Sequence, residues 1–272
     1  MAGAMGLEPF SLGPVGVAVD GRVAVVTLDR GDRLNALSID VMEALKAVAL
    51  RLRDDTSTSA VVLTGAPVFS AGADLADPKL AARGAAPLIE RRELMRIGPD
   101  MCAAWEALDQ VTVAAVEGFC LGGALSLAVA CDFRIAGEGA HLRLPEIPLG
   151  MNMSWATQPR LVSLVGPARA KQLVILGERV AASEALAWGL IEAVAPDGGA
   201  VEMALTWARR VAALPPVPVR MAKRAITQIA GALAPLASYM DADQYALAAA
   251  SDDHREAVAA FFEKRPGRFT GG

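Results

Sequence analysis

Val68-Phe69-Ser70-Ala71-Gly72-Ala73-Asp74-Leu75 and Glu117-Gly118-Phe119-Cys120-Leu121-Gly122-Gly123-Ala124 are two turns of the same make. Each is rich in Gly and Ala and follows an apolar run, Val61-Val62-Leu63-Thr64 before the first and Val113-Ala114-Ala115-Val116 before the second. Small residues let a ligand approach the main chain, and a helix starting just beyond aims unpaired N–H groups outward. Two such turns on two strands can hold one oxygen between two amide donors, the arrangement of an oxyanion hole. On spacing alone, glycines that simply permit tight strand-to-helix turns are the commoner explanation. A carboxylate follows in Leu144-Pro145-Glu146-Ile147. Two donors and one base are the minimum needed to make and hold an enolate.

Around these turns the chain alternates strands with helices and then turns wholly helical. Val15–Asp20 and Val23–Leu28 flank Gly21 as a hairpin, and Ser38 caps an amphipathic helix running to about Arg53. Strands are expected at 60–64, 112–116 and 132–136, with helical stretches at about 87–108 and 123–131 between them. That order predicts an α/β fold with a largely parallel sheet and crossover helices. Three parts follow: a flexible N-terminal tail over 1–14, a core over 15–199 and a helical region over 200–272. Helices are expected there at 200–213, 218–231, 235–250 and 252–264, punctuated by Pro215-Pro216 and Pro218. Their apolar positions are too many for an isolated tail and predict burial against other subunits.

Composition sets bounds on what such a chain does. At 272 residues and 54% hydrophobic but only 5% aromatic, it builds a sizeable core from Ala, Val and Leu. No apolar run is long enough to span a membrane, and Met1 to Gly13 lacks the regions of a signal peptide. A net charge of −4 argues against broad nucleic-acid binding. Cys102, Cys120 and Cys131 form an odd set without metal-ligand spacing, which predicts reduced, buried thiols and a cytoplasmic location. His141 and His254 are too few and too separated for a metal site, so none is expected. The cluster Arg91, Arg92 and Arg96 reads as a solvated helix face before it reads as a phosphate site. Leu121-Gly122-Gly123-Ala124 lacks dinucleotide-loop spacing, and Ser126 sits in no nucleophile elbow.

The chain resembles the crotonase superfamily, the enoyl-CoA hydratase/isomerase family. The resemblance runs from Asn35-Ala36-Leu37 through the two Gly-Ala turns to Cys131-Asp132-Phe133-Arg134 and Pro145-Glu146-Ile147-Pro148-Leu149-Gly150. It continues in Ala185-Leu186-Ala187-Trp188-Gly189-Leu190-Ile191 and in Phe261-Phe262-Glu263-Lys264-Arg265-Pro266-Gly267-Arg268-Phe269. It implies a crotonase-like spiral of ββα turns, a helical C-terminal trimerisation region, and a homotrimer or a hexamer made of two trimers. The implied ligand is an acyl-CoA thioester, so coenzyme A is part of the substrate and no separate cofactor is expected.

Carried over by position, the Ala73 and Gly123 amides form the oxyanion hole and Glu146 is the acid/base. Arg33, Leu34, Ala71, Asp74, Leu75, Gly122, Ser126 and Trp155 are expected to line the acyl-CoA site, with Phe261 and Lys264 reaching the CoA from the last helix. Ala76 stands near a place where the family often has a basic residue. Two positions depart from the hydratase pattern. Hydratases of the family carry a second glutamate three residues after the oxyanion glycine, and here that position is Ser126, whose hydroxyl cannot activate water as a carboxylate does. Met151-Asn152-Met153-Ser154-Trp155-Ala156-Thr157 replaces a Gly-rich turn after Pro145-Glu146. Both tilt the expected chemistry toward a Δ3-Δ2-enoyl-CoA isomerase with one proton-shuttling glutamate. The alternatives are an enoyl-CoA hydratase of fatty-acid β-oxidation and a catalytically weak acyl-CoA-binding protein.

Overall fold

In a computed structural model the described residues are 6–83 and 86–272. Among the described residues, ten strands and twelve α-helices follow one another in an order that winds between two sheets. The hairpin is β2 (Val15–Asp20) and β3 (Val23–Leu28), preceded by β1 (Phe10–Leu12), which pairs antiparallel with β2. Part of the expected tail is therefore a strand, because its alternating residues find a free sheet edge; Met1–Met5 lie outside the described residues. Helix α1 (Ile39–Arg53) starts at Ser38, whose side chain accepts from the Val41 N–H as an N-cap does. Strand β4 (Ala60–Gly65) follows, then α2 (Pro78–Arg83), α3 (Leu88–Leu94) and α4 (Ile97–Glu106). The helix expected over 87–108 is thus two pieces.

The spiral comes next. β5 (Val111–Val116), β6 (Phe119–Leu121) and α5 (Gly123–Ala128) make one ββα turn. β7 (Phe133–Gly137), β8 (His141–Arg143) and α6 (Thr157–Lys171) make the next. β9 (Val180–Ala181), α7 (Ala182–Trp188) and β10 (Ala193–Ala195) complete the winding. The large sheet has the order β1-β2-β3-β4-β5-β7-β10 and is parallel from β3 onward; β6, β8 and β9 form the small sheet. β4 and β5 are buried along their whole length, as strands covered on both faces must be. After β4 an isolated bridge, Ser70 to Cys120, stands where later turns have a small-sheet strand. That bridge holds the two Gly-Ala turns side by side.

One core lies between the sheet and α1, α4, α5 and α6, and a second lies on the sheet's other face. The second is closed by Ala200, Ala204 and Ala208 of α8 (Ala200–Ala212), spaced one helical turn apart. α8 therefore packs on the core sheet, although it opens the helical region expected from residue 200. Beyond it lie α9 (Pro216–Ala230), α10 (Ala234–Ser238), α11 (Asp241–Ala249) and α12 (Asp252–Glu263). α9 has no buried residue, although Val217, Met221, Ile226 and Ile229 are large and apolar. No helix among the described residues is long and apolar enough to cross a membrane.

Candidate active site

The two Gly-Ala turns meet at the mouth of a pocket between the core and α11. Asn35 anchors the first by donating to the carbonyls of Leu28, Ala66 and Val68, and Ser70 Oγ donates to the Asn35 carbonyl. The main chain then bridges in parallel from Leu37 to Ala73, the Leu37 N–H reaching the Gly72 carbonyl at 2.7 Å. This pairing uses the amides of Leu37 and Asp74 and leaves the Ala73 N–H without a partner among the described residues. In the second turn the Gly122 N–H donates to the Arg143 carbonyl at 2.8 Å, while Gly123, the first residue of α5, has no internal helix acceptor. The turns are in contact: a Cβ on Gly72 would lie 3.5 Å from the Gly123 nitrogen.

Ala73, Gly123, Glu146, Ser126, Leu75 and Trp155 all line this pocket. Glu146 sits against the second turn, since a Cβ on Gly122 would come within 2.8 Å of its Oε1. Its Oε2 is buried and has no hydrogen-bond partner. Burial pushes the Glu146 carboxyl up to about 7, against a main-chain hydrogen bond and the charge of Arg143, which pull it down. A carboxyl balanced near neutrality can both take and return a proton. Ser126 is fully buried, donating to the Gly122 carbonyl and accepting from Thr157 Oγ1 at 2.7 Å. Its hydroxyl is tied into the start of α5 and α6.

Trp155 explains a glycine that the sequence did not single out. Its indole is wedged between α4 and α5: a Cβ on Gly123 would strike it at 2.5 Å, and one on Gly98 would overlap it. Trp155 and Ala156 are both left-handed, at φ of 64° and 53°, a conformation non-glycine residues resist. Arg160 holds the Trp155 carbonyl at 2.7 Å and pairs with Glu106, while the Ala156 N–H donates to Asp241 at 2.9 Å. Asp241 belongs to α11, so the C-terminal segment fixes the turn that carries the indole. Asn152 likewise hydrogen-bonds Gln244 of α11 rather than Glu146.

Other expected site residues stand apart. Asp74 is buried and committed to Arg30 and Arg33; burial opposes its ionisation, but hydrogen bonds from Arg30, the Ala76 N–H and Arg33 outweigh this and hold its carboxyl low. It is therefore no open ligand contact. Arg33 and Leu34 are half-exposed beside Ala71, whose N–H donates to the Leu34 carbonyl, and so form a lip outside the pocket proper. Gly122 contributes the close approach to Glu146 rather than lining. Phe261 flanks a separate crevice with Pro145, Pro148 and Arg265, and Lys264 lines none of the pockets around the site within this chain. Cys120 is buried and its thiol is pushed far up by burial, which removes it as a nucleophile. Met42, Met95, Gly98 and Tyr245 line the site without any sequence signal beyond ordinary core or helix patterning.

The family model for enoyl-CoA hydratase/isomerase matches residues 19–272. The chain is 34% identical over 248 residues to the short-chain-enoyl-CoA hydratase of Clostridium acetobutylicum, covering 90% of this chain and 93% of the relative. It is 34% identical over 254 residues to the 2,3-dehydroadipyl-CoA hydratase of Escherichia coli, covering 92% of this chain and 96% of that one. Among solved structures, an enoyl-CoA hydratase from Mycobacterium avium subsp. paratuberculosis superposes with a TM-score of 0.84 at 28% identity, over 95% of this chain and 99% of that one.

Proposed function

This chain belongs to the enoyl-CoA hydratase/isomerase family, and from that footing we propose that it moves a double bond in an enoyl-CoA thioester, using Glu146 as a single proton shuttle. The unpaired Ala73 and Gly123 amides hold the thioester oxygen. Glu146 takes the C2 proton of a 3-enoyl thioester, and the C2–H electron pair moves toward that oxygen as a dienolate. The neutral Glu146 then returns the proton at C4, leaving the 2-enoyl thioester, so that nothing is gained or lost overall. A thioester α-proton is too weakly acidic for a carboxylate unless the developing oxyanion is stabilised, and removing one donor from such a hole typically costs about 10²–10³ in rate.

The observation that carries this reading is that Glu146 is the one carboxylate lining the pocket among the described residues. At the position of a second acid/base stands Ser126, already hydrogen-bonded on both sides, with the Trp155 indole packed against neighbouring Gly123. Hydration is the second reading, favoured by the hydratase names of the relatives. Purified protein offered matched 3-enoyl- and 2-enoyl-CoAs decides between them: isomerisation should exceed hydration at every chain length. Dominant hydration overturns the single-glutamate reading, and saturable binding without either reaction leaves the weak acyl-CoA binder.

The CoA enters past the Arg33–Leu34 lip. The bare apolar face of α9 and α10, with Met221, Ile226, Ile229, Leu233 and Leu236 exposed, supports assembly through that face into trimers or pairs of trimers. Phe261 and Lys264 then contact CoA across subunits rather than within one.

A further inference from the structure

A second chamber adjoins the catalytic pocket. It shares Leu75, Leu80, Met95, Met151 and Tyr245 with that pocket and is roomier, about 450 Å³ against about 80 Å³. Its far wall is made by small and apolar residues of the last two helices. On α11, Ala242 and Tyr245 face the catalytic pocket, and Tyr245, Ala246 and Ala249 face the chamber. Positions 242, 245, 246 and 249 fall on one helical face, so a single stripe of α11 walls both spaces. On α12, His254, Val258 and Phe262 recur every fourth residue and close the other side.

The opposite route is shut. Trp155 fills the gap between Gly98 and Gly123, so nothing can run between α4 and α5 behind the oxyanion amides. The catalytic pocket is the smaller of the two spaces, about 80 Å³ against about 450 Å³. A longer acyl group must leave it on the side where walls are shared. Resting on the proposed acyl-CoA chemistry, we infer that the acyl tail turns away from Trp155, passes Met151 and Tyr245, and lies in the chamber against Ala246 and Ala249, so that this enzyme takes medium- to long-chain enoyl-CoAs.

Most of the residues lining the chamber are apolar, which suits a hydrocarbon chain. Its polar lining is Arg91, Tyr245 and His254, and these are engaged: Arg91 donates to the Ala86 carbonyl, the Tyr245 hydroxyl to Met151 Sδ at 3.3 Å, and His254 Nδ1 meets the Leu149 carbonyl at 2.9 Å. The alanines at 246 and 249 leave the space, and Met95 and Met151 are unbranched side chains that adapt to a flexible chain.

The test is chain-length selectivity. Wild-type kcat/KM and acyl-CoA affinity are measured from four to sixteen carbons, then repeated with Ala249→Trp, which fills the chamber, and with Ala249→Met as a milder filling should the tryptophan variant fail to fold. Each buried methylene strengthens binding by roughly fourfold at most, so wild type should prefer twelve carbons to four by at least about tenfold. That ratio should fall roughly tenfold on filling the chamber. A wild-type optimum at four carbons overturns the inference, as does an unchanged ratio in the filled variants. An unchanged ratio with every length weakened alike assigns the chamber to the CoA arm instead. Failure of wild type to bind any acyl-CoA sinks the proposed function itself, an outcome separate from a wrong chain length.

Discussion

The sheet's second face and helices α9 to α10 are built from similar residues but treat them in opposite ways. α8 lays Ala200, Ala204 and Ala208 on β4, β5 and β7 and buries all three. α9 and α10 carry larger apolar side chains, yet Met221, Ile226, Ile229, Leu233 and Leu236 stay exposed. The difference lies in what faces each helix: α8 meets the sheet with alanines, whereas α9 meets the core through Arg220, Lys223 and Arg224, which reach Thr58, Gln110, Asp132 and Asp109, and its large apolar side chains stay exposed. α8 closes the sheet within one chain, whereas the apolar face of α9 and α10 stays bare, and α11 supplies Ala242 and Tyr245 to the pocket that holds Glu146.

Removing the Glu146 carboxyl should have the largest effect, because it is the one carboxylate lining the pocket among the described residues. Glu146→Gln should lower kcat by about 10²–10⁴ while leaving acyl-CoA affinity within a few-fold, since the amide keeps the shape but cannot shuttle a proton. A variant that keeps near-wild-type turnover refutes the proton-shuttle role. The same carboxyl sets the pH response. With its value raised to about 7, kcat/KM should climb nearly tenfold per pH unit below that point and level above it. Stability runs the other way. The folded state holds this proton more tightly than the unfolded chain, so wild type should lose up to about 3 kcal/mol relative to Glu146→Gln as pH rises from about 4.5 through 7. Parallel denaturation curves for the two proteins across that window would contradict the burial argument.

The C-terminal side of the comparison is broken by charge. Ile229→Asp together with Met221→Asp should dissolve the assembly into folded monomers by light scattering, since both positions are exposed in the single chain and only an interface would bury them. An unchanged mass places the interface elsewhere. The link between the two regions is Asp241, a buried carboxylate that burial pushes up and that holds the Ala156 N–H. Asp241→Ala should cost about 1–2 kcal/mol and loosen the Trp155 turn, visible as a red-shifted, more exposed tryptophan emission. The smallest effect belongs to Ser126. Ser126→Ala should change isomerisation by less than about threefold, because its hydroxyl serves the helix start and not the reaction; a loss of about a hundredfold or more would restore it as a catalytic group.

Strands, helices and the two turns were legible because they rest on local signals. Ser38 caps α1, the apolar runs expected as strands at 60–64 and 112–116 are buried strands, and the Ser70–Cys120 bridge brings the Gly-Ala turns side by side. The short strands β6, β8 and β9 were not, since two or three residues show no period that could be counted. β1 was hidden in an apparent tail for the same reason. The sequence by itself determined the family, the alternating architecture and the position of Glu146, because a motif needs only order and spacing. Tertiary structure alone decided that burial raises Glu146, that Asp74 is spent on Arg30 and Arg33, and that Trp155 stands between Gly98 and Gly123. Those facts depend on which residues distant in the chain exclude water from one another. Desolvation and close contact are properties of a neighbourhood, and spacing along a chain carries no record of them.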